Sequence, residues 1–539
     1  MLGQMMSDPL TITSIMQYAE QVFADTEIVS VSADNPRHRY TFGEAFLRAR
    51  KVANLLSGLG LQEGDRVATL AWNDYRHFEL YYGISCSGHV CHTINPRLFP
   101  EQISYIVNHA EDQWIFTDVA FVPLLEQLQE QLETVKGFVV LTSPAAMPAT
   151  TLKNVHCYEA LLADQPADYQ WPALDENSAS SLCYTSGTTG HPKGVLYSHR
   201  STVLHCLATG QRDVIGLAAG DTVMPVVPMF HVNAWGVVYS AAAAGARLVF
   251  PGPKMGDGAT LAELINDEGV NLALGVPTVW LALANHLRES GGSVPSLKRV
   301  VVGGAACPEA LMRAMDQLGV YMHVGWGMTE MSPLGTLNTL LPWMEELPDE
   351  EKMAYRLKAG RLIYGVQMRV VNDQGEELPW DGKTSGQLQV RGPWVCSGYY
   401  RMAESDAHLP DGWFDTGDVA TIDSHGYMQI TDRTKDVIKS GGEWISSIDI
   451  ENAAMGHADV LEAAVIGVPH PKWTERPLLL VVKRPGAEPK KEDILDFLKG
   501  KIANWWIPED CVFVEFIPHT ATGKVSKKDL RDQFKSYSY

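Results

Sequence analysis

Cysteine is sparse and unpaired in this chain: eight residues among 539, with no C-x-x-C and no pair at zinc-ligand spacing. That excludes a disulfide framework and a zinc-finger-type site, and it reads as reduced thiols in a cytoplasmic protein. Cys183 and Cys307 stand among apolar or small residues and read as packing groups. Basic residues also fall short, 43 Lys+Arg against 64 Asp+Glu for a net charge of -21. Nucleic acid and anionic membrane both require a basic face, so neither is expected as the main partner. No uninterrupted apolar run is long enough to span a bilayer. From Thr222 to Ala246 there is no charged side chain if His231 is neutral, yet Pro225, Pro228, Asn233 and Gly236 interrupt the stretch. It reads as a buried segment lining a cavity, not a membrane span. There is no repeat or low-complexity tract, and the start MLGQMMSDPL lacks the cationic and apolar regions of a secretory signal.

What is present is a large globular chain. With about 150 residues per domain as a guide, 539 residues form several folding units. Apolar runs at Arg66 to Ala71, Val223 to Val227 and Arg299 to Val302 are each followed by helix-like stretches, such as Glu309 to Leu318. This alternation predicts α/β layers with buried parallel strands. From about Gly360 the texture becomes short alternating strands with turns: Gln367 to Val371, the turn Asn372 to Gly375, and Gly386 to Arg391. An all-β unit is expected there. The end returns to α+β, with helices over Ser447 to Gly456 and Lys491 to Asn504 and strands at Ala463 to Val468 and Leu478 to Lys483. From Thr434 onward the charges nearly balance, 15 Lys+Arg against 16 Asp+Glu, while the preceding part holds 28 against 48. The chain therefore divides into a large domain over residues 1–432, with a β-rich subdomain from about 360, and a small domain over 433–539.

One run, YTSGTTGHPKG from Tyr184 to Gly194, combines glycines, hydroxyls and a lysine after the strand-like Ala179 to Tyr184. Gly187 and Gly190 let backbone N–H groups face an anion, Thr185, Ser186, Thr188 and Thr189 add neutral donors, and Lys193 adds charge. The spacing is not that of a Walker loop, which ends in G-K-[ST]. A flexible surface turn of the same composition is the alternative.

Further motifs occur in a fixed order: PMFHVNAWG at Pro228 to Gly236, Gly303-Gly304 after an apolar strand, GWGMTE at Gly325 to Glu330, and WFDTGD at Trp413 to Asp418. TDRTKDVIKSGGEWIS then spans Thr431 to Ser446, and PHTATGK ends at Lys524. Together they resemble the adenylate-forming superfamily that includes acyl-CoA synthetases and luciferase, over nearly the whole chain. MLGQMM, CHTINPRLFPEQ, MFHVNAWG, SGGEWISS and WTERPLL bring it nearest to bacterial medium-chain fatty acid–CoA ligases.

The resemblance implies two half-reactions: a carboxylate attacks the α-phosphate of ATP and expels pyrophosphate, and coenzyme A then displaces AMP. It implies that Lys524 is the catalytic cation and that His231 positions the carboxylate. Lys435, two residues after Arg433, is the implied hinge about which the small mobile domain turns between the halves. The nucleotide would be held by the loop Thr185, Ser186, Gly187, Thr188, Thr189, Gly190 and Lys193, and by Gly325, Trp326, Gly327, Met328, Thr329 and Glu330. Asp418 would take the ribose hydroxyls and Arg433 would contact the nucleotide. Mg2+ would be held by Glu330 and Thr185. Many relatives carry tyrosine where this chain has Trp326, which keeps an aromatic face and removes the phenol. The local alternatives are a surface lysine for Lys524, a helix-start carboxylate for Glu330 and a turn aspartate for Asp418.

His231, Val232, Trp235, Gly303, Gly304 and Ala305 match the acyl pocket of relatives, with Trp235 at the place of an aromatic gate. Lys439, Ser440, Gly441, Gly442, Glu443 and Trp444 match the coenzyme A side, where a plain hairpin is the alternative. No acidic residue suited to an amino group stands near Asn233, so the acid is expected to be uncharged beyond its carboxylate. A medium-chain fatty acid is the first expectation, with 3-methylmercaptopropionate or a long-chain acid as alternatives. A luciferase-like oxygenase or a silent nucleotide sensor is more distant. Relatives with this gate often form homodimers, and the same is expected here.

Overall fold

The computed structural model describes residues 1, 3–185, 191–440, 443–519, 525–537 and 539. Three sheets organise them. The first has seven strands in the order Val155–Cys157, Gly137–Val140, Trp114–Thr117, Arg66–Leu70, Val90–Thr93, Ala179–Tyr184 and Gly194–Ser198. All pairs in it are parallel except the last, where Gly194–Ser198 returns antiparallel beside Ala179–Tyr184. The second sheet has thirteen strands, and its parallel part runs from Glu27–Ser30 through Arg247–Phe250, Thr222–Pro225, Leu272–Gly275 and Arg299–Val302 to Tyr321–Gly327.

The helix Tyr75–Cys86 lies between these sheets, touching Glu27–Ser30 of one and Arg66–Leu70, Val90–Thr93 and Ala179–Tyr184 of the other. All twelve of its residues are buried, as a helix covered on every side requires. Its polar groups are paired accordingly: Asp74 caps it by accepting from the His77 N–H, and His77 engages the Trp72 carbonyl and the Thr69 hydroxyl, each at 2.9 Å.

Tyr321–Gly327 serves two ladders. Its first four residues pair in parallel with Arg299–Val302, and its last three pair antiparallel with Leu334–Leu337. The β-rich region expected from about Gly360 is consequently not a separate sheet. Gly360–Leu362, Gln367–Val371, Gly386–Arg391, Phe414–Ile422 and Tyr427–Arg433 continue the second sheet with antiparallel pairing.

The stretch expected to be buried forms the strand Thr222–Pro225, a short turn and the eight-residue helix Val237–Ala244. No helix among the described residues is long and apolar enough to cross a membrane. Thr434 to Val437 separate Tyr427–Arg433, the last strand of the second sheet in chain order, from Ile438–Ser440, the first strand of the third. That sheet has five strands, with Thr474–Lys483 at its centre pairing Val460–His470, Ile438–Ser440 and Asp510–Phe513. The helix expected over Lys491 to Asn504 stops at Phe497. Gly500, at φ +75°, turns the chain into a short bridge and a 3₁₀ turn over Asn504–Trp506 instead.

Candidate active site

The last two strands at one side of the first sheet flank the glycine- and hydroxyl-rich loop. Ala179–Tyr184 leads into Thr185 and Gly194–Ser198 leads out of it, and their antiparallel pairing brings the ends of the loop together. The Thr185 N–H donates to the Lys193 carbonyl at 2.9 Å, and the Lys193 N–H donates to the Thr185 hydroxyl at 3.1 Å. Ser186, Gly187, Thr188, Thr189 and Gly190 lie outside the described residues.

Facing this mouth is the end of Tyr321–Gly327. Gly327 is required sterically, since a Cβ there would meet the Pro333 carbonyl oxygen at 2.0 Å. Met328 leads into the turn Thr329–Met331, whose Thr329 carbonyl accepts from the Tyr197 hydroxyl at 2.5 Å. Glu330 is buried, and burial pushes its carboxyl above the usual range, opposed by the Tyr399 hydroxyl, Arg433 and Lys193. The Tyr399 O–H donates to Glu330 Oε1 at 2.8 Å, while the Lys193 ammonium lies 4.7 Å from the centre of the same ring. Tyr399, to which no sequence motif points, thus touches both Glu330 and Lys193. Its only local signal is an aromatic pair after Gly398.

Asp418 and Arg433 stand opposite each other on paired strands. The Arg433 Nε lies 2.8 Å from Asp418 Oδ1, and the Trp326 indole N–H donates to Asp418 Oδ2 at 2.9 Å. Cys396, near Glu330, has its sulfur 3.5 Å from His408 Nε2. Burial pushes that thiol up to about 12, so it is no thiolate nucleophile at neutral pH. Cys183 and Cys307 are buried, as expected for packing groups.

The segment Val232 to Trp235 has an unusual backbone: four successive non-glycine residues at φ 43°, 46°, 50° and 55°, followed by Gly236 at 75°. A left-handed turn of this kind costs roughly 1–2 kcal/mol per residue and persists where packing enforces it. Asn233 supplies the tether. Its amide donates to the Ser181 hydroxyl at 2.9 Å and accepts from the Cys183 thiol at 3.4 Å, both on the strand that leads to Thr185. The turn places Trp235 over Gly303, where a Cβ would come within 3.2 Å of the indole and 3.0 Å of the Gly325 carbonyl. His231 is half-buried at the start of this turn; Gly304, at φ +81°, and Ala305, which follow Gly303 in sequence, are exposed. The structure therefore joins Trp235, Gly303 and the GWG strand at one wall.

Past Arg433 the chain reaches Lys435 and the hairpin of Ile438–Ser440 with Glu443–Ile445. Gly441 and Gly442 lie outside the described residues. The Lys439 ammonium lies 5.4 Å from the Trp444 ring, and Ser440 is buried. Lys524 also lies outside the described residues.

Beside this link is a buried polar cluster built around Asp432, a residue within the motif Thr431 to Ser446 to which the sequence assigns no role. Asp432 Oδ2 accepts from the Ser447 N–H at 2.7 Å and from the Ser447 hydroxyl at 2.6 Å. Lys527 donates to Ser447 and lies 2.8 Å from Glu451. Asp432 belongs to the second sheet and the others to the part that follows the link, so the cluster fastens one to the other.

Comparison with known proteins agrees with these features. Residues 17–400 match the family described as AMP-binding enzyme, and residues 449–524 match the AMP-binding enzyme C-terminal domain. The chain belongs to this family. It is 52% identical to the 3-methylmercaptopropionyl-CoA ligase of Ruegeria lacuscaerulensis, covering 99% of each chain. It is 49% identical to the medium-chain-fatty-acid–CoA ligase of Ectopseudomonas oleovorans, covering 99% of this chain and 98% of the relative. The crystal structure of ATP-bound MatB from Rhodopseudomonas palustris aligns with a TM-score of 0.81 at 25% identity, over 97% of this chain and 99% of that one. The chain is accordingly an AMP-forming acid–thiol ligase.

Proposed function

We propose that the acid is a medium-chain fatty acid, activated by ATP as acyl-AMP with release of pyrophosphate and then transferred to coenzyme A. The observation that carries this choice is the stretch Thr222 to Ala246, which contributes no charged side chain and places Trp235 against Gly303. A pocket walled this way favours an acid with no charge beyond its carboxylate. The identity to a medium-chain relative supports the length. The higher identity to a relative that acts on 3-methylmercaptopropionate supports that short thioether acid as a second reading.

The first half-reaction brings two anions together, at a cost of about 4 kcal/mol for unit charges 4 Å apart in an effective dielectric near 20. In this reading Lys524 offsets that repulsion at the reacting oxygens, and Lys193 with the loop N–H groups takes the outer phosphates. His231 orients the carboxylate. Asp418 accepts the ribose hydroxyls, Arg433 contacts the nucleotide, and the Trp326 ring carries adenine. Glu330 and the Thr185 hydroxyl are hard oxygen donors suited to Mg2+, and the Tyr399 hydrogen bond holds the carboxylate in place for it. When bound, the ion would neutralise the leaving pyrophosphate. The domains divide at residues 432 and 433. Rotation about Lys435 would exchange Lys524 for the Ser440 to Trp444 hairpin, where Lys439, Gly441, Gly442 and Glu443 border the pantetheine path. We further propose a homodimer in the cytoplasm, a reducing location that suits eight unpaired cysteines.

A pyrophosphate-release assay over straight-chain acids from about C3 to C16, with 3-methylmercaptopropionate included, tests the substrate. Since one methylene is worth about 0.8 kcal/mol, the expected profile rises and falls by degrees around a medium-chain maximum. A maximum at 3-methylmercaptopropionate selects the second reading, and one at an amino or aryl acid overturns both.

A further inference from the structure

Trp326 stands where an aromatic ring is needed for adenine, but its indole N–H has a separate partner. It donates to Asp418 Oδ2 at 2.9 Å, and Arg433 engages Oδ1 of the same carboxylate at 2.8 Å. Asp418 is only 4% exposed, and its backbone N–H donates to the Thr416 hydroxyl at 3.1 Å. The indole on one oxygen and the guanidinium on the other fix the rotation of the carboxylate.

The indole is itself fixed. One part of the ring lies against Gly335, where a Cβ would stand 2.7 Å from it, so the ring seats close to that backbone. An indole N–H only donates and cannot rotate away, whereas a phenol hydroxyl turns freely and also accepts. The exchange of tyrosine for tryptophan therefore does more than preserve an aromatic face.

We infer that Trp326 is a positioning residue for ribose recognition: its N–H presets Asp418 to accept paired ribose hydroxyls, so preference for ribo- over deoxyribonucleotide depends on the indole nitrogen. The inference rests on the reading of Asp418 as the ribose acceptor. Preorganisation is the physical basis, since a carboxylate already held in its bound orientation loses less freedom when the nucleotide arrives.

Calorimetric titration with ATP and with 2′-deoxy-ATP, in the absence of acid, tests it on the full chain. The variants are Trp326→Phe, Trp326→Tyr and Asp418→Asn, each checked for folding by circular dichroism. Wild type should prefer ATP by at least roughly tenfold, and Trp326→Phe, which keeps an aromatic face, should reduce that ratio at least threefold. If Trp326→Phe fails to fold, the ratio in Trp326→Tyr is read in its place, with the same threefold fall expected. An equal loss for both nucleotides, or no loss, overturns the inference by leaving the ring a stacking surface alone. If Asp418→Asn abolishes the preference while the tryptophan variant retains it, only the inference fails. If Asp418→Asn leaves the preference intact, the assignment of Asp418 fails with it.

Discussion

Replacing Tyr399 by phenylalanine removes one oxygen and leaves the ring under Lys193 in place. The lost group is a hydrogen bond of 2.8 Å to a buried carboxylate, and Tyr399 is itself only 8% exposed, so water cannot readily substitute. Hydrogen bonds to charged groups contribute about 1.5–3 kcal/mol, and removing one partner in a buried site leaves the other unsatisfied. At 1.36 kcal/mol per factor of ten, adenylation should fall roughly 10- to 150-fold in kcat/KM for MgATP. Tyr399→Leu should lose more, because it also removes the surface on which the Lys193 ammonium rests. Initial rates of acid-dependent pyrophosphate release, measured across MgATP at saturating acid, separate the effects. If Tyr399→Phe stays within twofold of wild type while Tyr399→Leu is impaired, the hydroxyl does not position Glu330 and only packing matters.

Removing the Asp432 carboxylate as Asp432→Ala should destabilise the attachment of the helix Ser447–Met455 to the second sheet by about 3–5 kcal/mol, the usual cost of breaking a buried charged cluster. Differential scanning calorimetry should register an earlier transition, and an unchanged profile would refute the fastening role. His205, buried with Nε2 accepting the Leu334 N–H at 3.2 Å, is pushed down to about 3 by burial. Its folded pKa lies below the unfolded value of about 6.5, so the unfolded state takes up the proton first and stability falls as pH drops below about 6.5 toward 3. The stability difference between wild type and His205→Gln should therefore shift by roughly 2 kcal/mol against wild type from pH 7 to pH 5. A pH-independent difference in denaturant midpoints would contradict this.

The parts of the fold that could be read from sequence are those that local pattern determines. Gln367–Val371 and Gly386–Arg391 alternate strictly enough to fix their ends, and Arg299–Val302 carries three successive β-branched valines. The helix after Lys491 is overextended in sequence because the residues beyond Phe497 are good helix formers, and only Gly500 marks the change. The left-handed turn is invisible in sequence for the opposite reason: Val232 and Trp235 disfavour positive φ, and tertiary packing overrides them. Motif order assigned the chemistry of Glu330, Asp418 and Arg433, since each needs a particular functional group. Tyr399 escaped because its partner is 69 residues away, and Asp432 because its neighbours in the motif drew the attention. Hydrogen bonds of that separation depend on sheet pairing, and the joining of parallel to antiparallel strands at Gly325 is a long-range fact.

The central claim, activation through a bound acyl-adenylate before coenzyme A takes part, is tested by a single-turnover experiment. Enzyme mixed with MgATP and a medium-chain acid, without coenzyme A, should release close to one pyrophosphate per active site and hold acyl-AMP. Later addition of coenzyme A should convert it to AMP and acyl-CoA. Formation of ADP and phosphate, or a strict requirement for coenzyme A before any pyrophosphate appears, would contradict the account.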